Sequence, residues 1–454
     1  MLNPEVCQKA RLSRDPRFDG KFFIAVKTTG IYCRPICPAT TPKEENILYF
    51  STAIEAAVAG YRPCLRCRPD SAPGSPAWKG VNTTLDRAIR LIGEGALQDK
   101  SLPMLAEQLG ISDRYLRQLF KKYLGISPKA YALYQQCLFA KQLLHQTKLP
   151  ITQVALSSHF KSVRRFNDCF QSQLGLTPSQ IRNSGGVESG SLKLLLTYRP
   201  PYDWNSLRDF FMARSIVGLE WCDEQSYGRT FEWRGCSGCF TAQHVADKNS
   251  FEVTIELDDV THLKAIINNI RRILDLDVDI DAVNRDLERF FSVAAPIKTG
   301  LRLPGVWNPF EAGIRAILGQ QVSVVAARKL VTTLVATLGL EMGDHRLFPS
   351  PGAIAKSELG FLKMPASRKQ TLHHLAQHYL NHSSPADPQQ WLALKGIGVW
   401  TVDYAKLRGL SDPDIYLAGD LGVKKAVLKT GQSLDPQQAA PWRSYLTLQL
   451  WSQL

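Results

Sequence analysis

The chain has 454 residues, and a single hydrophobic core rarely grows beyond about 250–300 residues, so one compact domain is excluded. Hydrophobic residues make up 44% and charged residues 21%, the balance of a folded globular protein rather than of a disordered or fibrous chain. Basic residues outnumber acidic ones by 14, which favours a polyanionic partner through counterion release. The excess is uneven: 11 basic against 7 acidic residues over 1–75, 15 against 7 over 76–188, and 29 against 27 over 189–454. Glu5 and polar neighbours stand where a signal peptide needs an apolar stretch, and no apolar run reaches membrane-spanning length. A cytoplasmic protein with no membrane partner is therefore expected.

In chain order, residues 22–26 and 47–50 predict short strands, and Ala-rich residues 53–59 predict a helix. Residues 71–80 and 183–191 (NSGGVESGS) have linker composition. Between the linkers the pattern is almost continuously helical, and Gly125-Ile-Ser-Pro recurs fifty residues later as Gly175-Leu-Thr-Pro. Leu105-Ala106 and Val154-Ala155 open the matching helix-turn-helix patterns, so two related units stand in series. Beyond the second linker, strand-like alternation from 192 to 198 gives way to a helical pattern, with a boundary near 295–303.

Ten cysteines are present, and in a reducing compartment clustered cysteines indicate metal binding or catalysis before disulfides. Cys33 and Cys37 stand in CRPIC and Cys64 and Cys67 in CLRC, with 26 residues between the pairs. Four thiolates from two such pairs suit one tetrahedral zinc ion. Cys236 and Cys239 form a lone CxxC, better placed in a strand or turn than on a metal, and Cys7, Cys137, Cys169 and Cys222 are isolated. TTGIYCRPIC followed by YRPCLRC resembles the zinc domain of Ada-type alkylation-response proteins over residues 1–75. The resemblance implies a small α+β domain in which Cys33, Cys37, Cys64 and Cys67 hold the metal. It also implies that Cys33 accepts a methyl group from a DNA methylphosphotriester and that Thr29 and Arg62 touch the DNA backbone. A four-thiolate zinc site carries a net charge of minus two and stays nucleophilic. Methylating Cys33 would lower that charge and raise affinity for promoter DNA. Pro38 and Thr40 stand where relatives carry basic residues, which removes part of the contact surface.

The run LAEQLGISDRYLRQLFKKYLGISP (105–128) and its looser copy through Pro178 resemble the AraC-type DNA-binding domain over residues 83–183. This implies an all-α double helix-turn-helix with recognition helices at 113–123 and 163–173, and with Arg114, Arg117, Arg164 and Arg165 facing DNA. His159 and one extra residue replace the usual turn glycine, which predicts a distorted second turn. An activator bound to promoter DNA has RNA polymerase as a further expected partner.

LKGIGVWTVDYA (394–405) places Gly396 and Gly398 between two apolar helical patterns, where the missing Cβ atoms let backbone N–H groups approach a phosphate. With Asp420 lying 22 residues beyond Gly398, the segment resembles the helix-hairpin-helix DNA glycosylase superfamily. TYRPPYDW (197–204), LRLPGVWNPFEAGIRAILGQQVSV (301–324) and PWRSY (441–445) bring the likeness closer, to 3-methyladenine DNA glycosylase II of the AlkA type, over residues 192–454. That resemblance implies an α+β subdomain over 192–298 and an all-α helix-hairpin-helix domain over 299–454, with the lesion pocket between the halves of the helical domain. It makes Asp420 catalytic, Trp400, Tyr404 and Trp442 pocket aromatics, and Gln321 the wedge that fills the duplex gap. Trp400 stands where strand-cleaving relatives carry a Schiff-base lysine, which implies simple hydrolysis with no cofactor for that chemistry. Gly419 occupies the place of a second Asp common in the family, and Asp412 and Asp414 lie in the turn-like SDPD. No PCHR motif is present, so direct O6-alkylguanine repair is not expected.

The expectation is a fused alkylation-damage protein that acts on damaged and promoter double-stranded DNA. Two other readings fit part of the chain: a transcription regulator whose glycosylase module is inactive or only binds damage, and a glycosylase merely tethered by its front half. The intact Asp420, hairpin and aromatics weigh against the first, and Cys33 beside three further cysteines weighs against the second.

Overall fold

The computed structural model describes residues 4–14, 22–35, 37, 39–51, 55–56, 59, 61–64, 80–93, 95–174, 177–182, 192–291, 296–382, 387–430 and 434–454. Most of the expected 53–59 helix, nearly all of both linkers, Pro38 and Cys67 lie outside these residues. The chain divides into two compact units, Met1–Leu133 and Tyr134–Leu454. No helix among the described residues is long and apolar enough to cross a membrane.

The first unit opens with helix Pro4–Leu12 and then a four-stranded sheet of order β3-β1-β2-β4, formed by β1 (Phe23–Val26), β2 (Ile31–Cys33), β3 (Ile47–Phe50) and β4 (Arg62–Pro63). The central strand β1 is buried on both faces, as its unbroken apolar run requires. Ile24 packs with Cys7, Ala10 and Ile47, while Phe23 and Ala25 pack with Tyr32 and Ala56. Helices follow at Gly80–Gly93, Ala96–Asp99, Leu102–Gln108 and Asp113–Leu124, and their apolar stripes meet in a core that includes Leu85, Leu105, Leu116 and Phe120. Ser112 caps the last of these by accepting from the Tyr115 amide at 3.2 Å.

The second unit carries the matching pair, Ile151–Ser157 and Val163–Leu174, around buried Val154, Phe166 and Phe170. The expected distortion of its turn is not found. His159 takes the left-handed conformation (φ 59) that Gly110 takes in the first unit (φ 71), a region histidine enters more readily than most residues. The same five-residue return bond closes both turns, Phe160 N to Ala155 O at 2.9 Å and Ile111 N to Ala106 O at 3.0 Å. The extra residue falls after the turn, and Ser162 still caps the next helix through the Arg165 amide.

A five-stranded antiparallel sheet follows, of order β5-β9-β8-β7-β6, with β5 (Leu192–Thr197), β6 (Glu220–Cys222), β7 (Ser226–Trp233), β8 (Cys236–Val245) and β9 (Ser250–Leu257). Cys236 and Cys239 both lie on β8 three residues apart, hence on opposite faces, and cannot share a ligand on one side. Burial pushes their thiols up to about 12 and about 11. Two cores form among the described residues of the helical remainder. One gathers Phe310, Ile314, Ile317, Leu334, Leu375, Trp391 and Val402; the other gathers Val283, Leu287, Leu407, Leu417, Val423, Leu446 and Leu450. Helix Ile280–Leu287 thus packs with the last helix, Arg443–Trp451, although it precedes the boundary expected near 298.

Asp275 ties these layers together. Its Oδ2 accepts from the Leu303 amide at 2.9 Å and from the Tyr445 hydroxyl at 2.8 Å. Burial nevertheless outweighs these donors and pushes its pKa from 3.8 to about 6. Such a carboxyl binds more protons folded than unfolded between those two values. Its contribution to stability therefore falls as pH rises through that window and stays unfavourable above it. Asp275→Asn keeps an acceptor for both donors and is expected to gain up to about 3 kcal/mol over the wild type at pH 7. Denaturant titrations of both proteins at pH 4 and pH 7 check this, the gap between them widening with pH.

Candidate functional site

The cysteine cluster is built by strand pairing. β2 and β4 run parallel with Ile31 opposite Arg62 and Tyr32 opposite Pro63, so the next residue on each strand, Cys33 and Cys64, arrives at the same end of the sheet. The Cys64 amide donates to Tyr32 O at 2.9 Å, and a turn closed by the Cys37 amide on Arg34 O brings Cys37 back. The sulfur atoms of Cys33, Cys37 and Cys64 all lie within 4.8 Å of one another, and Cys37 and Cys64 are 4.0 Å apart. Tetrahedral zinc with bonds of about 2.3 Å needs sulfurs spaced nearly so, and soft thiolates are its preferred donors. Three ligands thus converge on a zinc-sized space, and the fourth candidate, Cys67, lies outside the described residues. Thr29 is exposed in the turn between β1 and β2, and Arg62 lies in β4.

Arg114 and Arg117 are exposed on helix Asp113–Leu124, and Arg164 and Arg165 on helix Val163–Leu174, so all four charges face solvent. Arg117 also reaches Asp113 one turn away, at 3.5 Å.

The hairpin is anchored from below. Gly396 has φ 91, and a Cβ there would fall 2.0 Å from the Thr371 hydroxyl of helix Ala366–Asn381, so only glycine fits. The element just before it, where an apolar helical pattern is expected, is a short 3-10 helix, Pro388–Ala393. Asp387 caps its start by accepting from the Gln389 amide, and Leu394 returns to extended backbone. Gly398 starts helix Val399–Gly409, whose first N–H groups have no partner within the helix. Gln320, which no sequence motif singles out, donates to Gly396 O at 3.3 Å and to the Thr401 hydroxyl at 3.1 Å. This holds the loop of the exposed Gln321 (φ 57) beside the hairpin. Val322, Val324, Val325 and Val399 are exposed aliphatics on the same segments.

Asp420 precedes helix Leu421–Thr430. Its Oδ1 accepts from the Gly422 amide at 2.9 Å, the Val423 amide at 3.1 Å and the Trp451 indole at 2.9 Å. All three donors engage one oxygen, which orients the carboxylate and turns Oδ2 away from them. Trp400 and Tyr404, one helical turn apart, stack with centroids 5.3 Å apart. Trp400 also packs against Gly419, next to Asp420. Arg408 donates to the Tyr404 hydroxyl at 2.9 Å.

Trp442 is placed elsewhere. Its indole donates to Asp286 at 2.9 Å and its ring meets Tyr445 edge-on. The tryptophan on Asp420 is Trp451, whose ring stacks on Phe210 with centroids 6.0 Å apart. PWRSY carried the family likeness, and the tryptophan bonded to Asp420 lies nine positions beyond Trp442. Asp414 is taken by a two-pronged pair with Arg443, at 2.7 and 2.9 Å.

Comparison with known proteins accords with this layout. Residues 6–70 match the family described as the metal binding domain of Ada, 105–184 a helix-turn-helix domain, and 193–308 the AlkA N-terminal domain. A Mycobacterium tuberculosis protein named probable bifunctional transcriptional activator/DNA repair enzyme AlkA is 34% identical over 99% of this chain and 96% of its own length. DNA-3-methyladenine glycosylase 2 of Escherichia coli K12 is 31% identical over 56% of this chain and 95% of its own. The bifunctional transcriptional activator/DNA repair enzyme Ada of the same strain is 35% identical over 38% of this chain and 48% of its own.

Proposed function

The chain belongs to the family of that mycobacterial bifunctional transcriptional activator/DNA repair enzyme, and from this premise we propose that it repairs alkylated DNA by two separate chemistries and regulates transcription. The division of labour follows the expected segments: methyl acceptance over 1–75, promoter binding over 83–183, and base excision over 192–298 and 299–454.

In the first chemistry the Cys33 sulfur attacks the methyl carbon of a DNA methylphosphotriester. The S–C bond forms as the O–C bond breaks, and the phosphate leaves as an ordinary diester anion. Cys33, Cys37, Cys64 and Cys67 would hold a zinc ion, which would keep the thiolates deprotonated at neutral pH. Thr29 and Arg62 face the DNA backbone, and Arg114, Arg117, Arg164 and Arg165 contact the promoter.

In the second chemistry the damaged nucleotide leaves the stack, Gln321 fills the gap, and the amides after Gly396 and Gly398 hold a phosphate. The base rests on Trp400 and Tyr404, with Trp451 taking the part first expected of Trp442. The C1′–N bond breaks with its electron pair going to the base, and positive charge builds on the sugar. Asp420 stabilises that charge and receives a proton from the attacking water. Trp400 has no amine, so the abasic product stays unnicked. The observation that carries this reading is the Asp420 carboxylate, fixed by three donors on Oδ1.

One experiment tests both chemistries. DNA treated with a labelled methylating agent is incubated with the wild type and with Cys33→Ala. The wild type is expected to release methylated purines, retain label on the protein, and leave intact abasic sites. Cys33→Ala is expected to lose the protein-bound label. No free base from the wild type defeats the glycosylase reading; a borohydride-trapped adduct defeats simple hydrolysis; and label retained on the variant defeats Cys33 as acceptor.

A further inference from the structure

The second helix-turn-helix unit and the five-stranded sheet belong to one compact unit, Tyr134–Leu454, and they meet at a surface that neither chemistry above uses. Helix Ile151–Ser157 lies against the 3-10 helix Val260–His262, which leads into helix Leu263–Ile273. Helix Pro128–Gln146 adds two further contacts. Strand β5 is an edge strand paired with β9 alone, so amides on its outer side have no strand to bond. Gln146 Oε1 takes one of them, the Leu195 amide, at 3.0 Å. Lys264 Nζ, on the first turn of helix Leu263–Ile273, lies 5.8 Å from the centroid of the buried Phe139 ring.

Lys264 is poorly matched to this contact. It is 7% exposed, and burial pushes its pKa from 10.5 down to about 8, with no charged group among the described residues opposing the shift. A ring face returns only part of what an ammonium loses on leaving water. Phe139 and Gln146 therefore favour the contact, and the charge of Lys264 works against it. Arg164 and Arg165 stay exposed on helix Val163–Leu174, so the closed contact leaves both free to meet DNA.

We propose that this surface is an intramolecular latch holding the second helix-turn-helix unit on the sheet subdomain, and that Lys264 is its release element, buried against Phe139 without an anion. Parting the two surfaces returns the ammonium to water, which keeps the closed state only modestly favoured over the open one. Closed, the two parts meet DNA as one body, which raises the effective concentration of each at the other's site. Open, each engages DNA separately. The latch depends on neither chemistry proposed above, and its failure leaves both in place.

Two measurements on the full-length chain test it. Hydrogen exchange, read at residue level by mass spectrometry over 192–197, follows the Leu195 amide. Acetylation by N-hydroxysuccinimide acetate follows the Lys264 amine, with the exposed Lys141 as internal reference. Lys264→Met keeps the bulk and removes the charge, and is expected to slow exchange at Leu195 by about tenfold or more. Gln146→Ala, a change at an exposed position, removes one hydrogen bond and is expected to speed acetylation of Lys264 by about threefold or more. A lysine buried by the sheet subdomain alone would not respond to Gln146. Unchanged exchange at Leu195 in Lys264→Met, unchanged acetylation of Lys264 in Gln146→Ala, or a wild-type Leu195 amide that exchanges as fast as in a free chain overturns the latch.

Discussion

Asp420→Asn is expected to cut the rate of base release about a thousandfold or more while lesion binding persists. The geometry makes this substitution unusually clean. The side-chain oxygen of Asn can take the place of Oδ1 and still accept from Gly422 N, Val423 N and the Trp451 indole. The amide group then replaces Oδ2, so the shape is kept and only the charge facing the sugar is lost. Single-turnover release on a 7-methylguanine duplex, paired with a binding titration and a thermal melt, checks this. Undiminished release would remove Asp420 from the chemistry, and a collapsed melt would assign it to stability instead.

Glu311→Ala is expected to cost about 3–5 kcal/mol of stability. Glu311 is 1% exposed and lies on the central helix Pro309–Gly319. Its carboxylate accepts from Arg229 of β7 at 3.0 and 2.7 Å and pairs with Arg315 at 2.7 Å. Glu220 of β6 closes the group, 3.5 Å from Arg229 and 2.8 Å from Arg315. Burial alone would push Glu311 up, but the two guanidiniums outweigh it and hold its pKa below the ordinary value. Deleting one carboxylate strands buried positive charge, and that penalty exceeds the net worth of the intact group. The exposed pair Lys193–Glu252, 3.7 Å apart with both side chains about half exposed, sets the contrast. Glu252→Gln is expected to change stability by less than about 1 kcal/mol, since water already solvates both charges. Urea unfolding of the three proteins, read at constant m-value, checks the difference.

What the sequence by itself determined about this protein is whatever rests on spacing within one short segment. Two cysteine pairs, a fifty-residue repeat, a GxG hairpin and an Asp 22 residues beyond it each describe a local unit, because the groups that must meet are held by one turn or one strand pair. That is why Cys33, Cys37 and Cys64 could be named before their sulfurs were placed within 4.8 Å. His159 marks the limit of that logic: the residue type predicted a distorted turn, but the return bond from Phe160 to Ala155 and the packing of Phe160 on Phe166 hold the turn in its ordinary form. Only the tertiary structure decided which tryptophan attends Asp420. Trp442 and Trp451 lie at the two ends of one helix, and nine residues at 100° each turn them to opposite sides. The composition of the PWRSY motif carries no trace of which side faces Asp420. Phe210 reaches Trp451 across more than two hundred residues of chain, and Arg229 meets Glu311 across 82. Such meetings follow from how the sheet packs on the central helix, a sum of many buried contacts that no single spacing encodes.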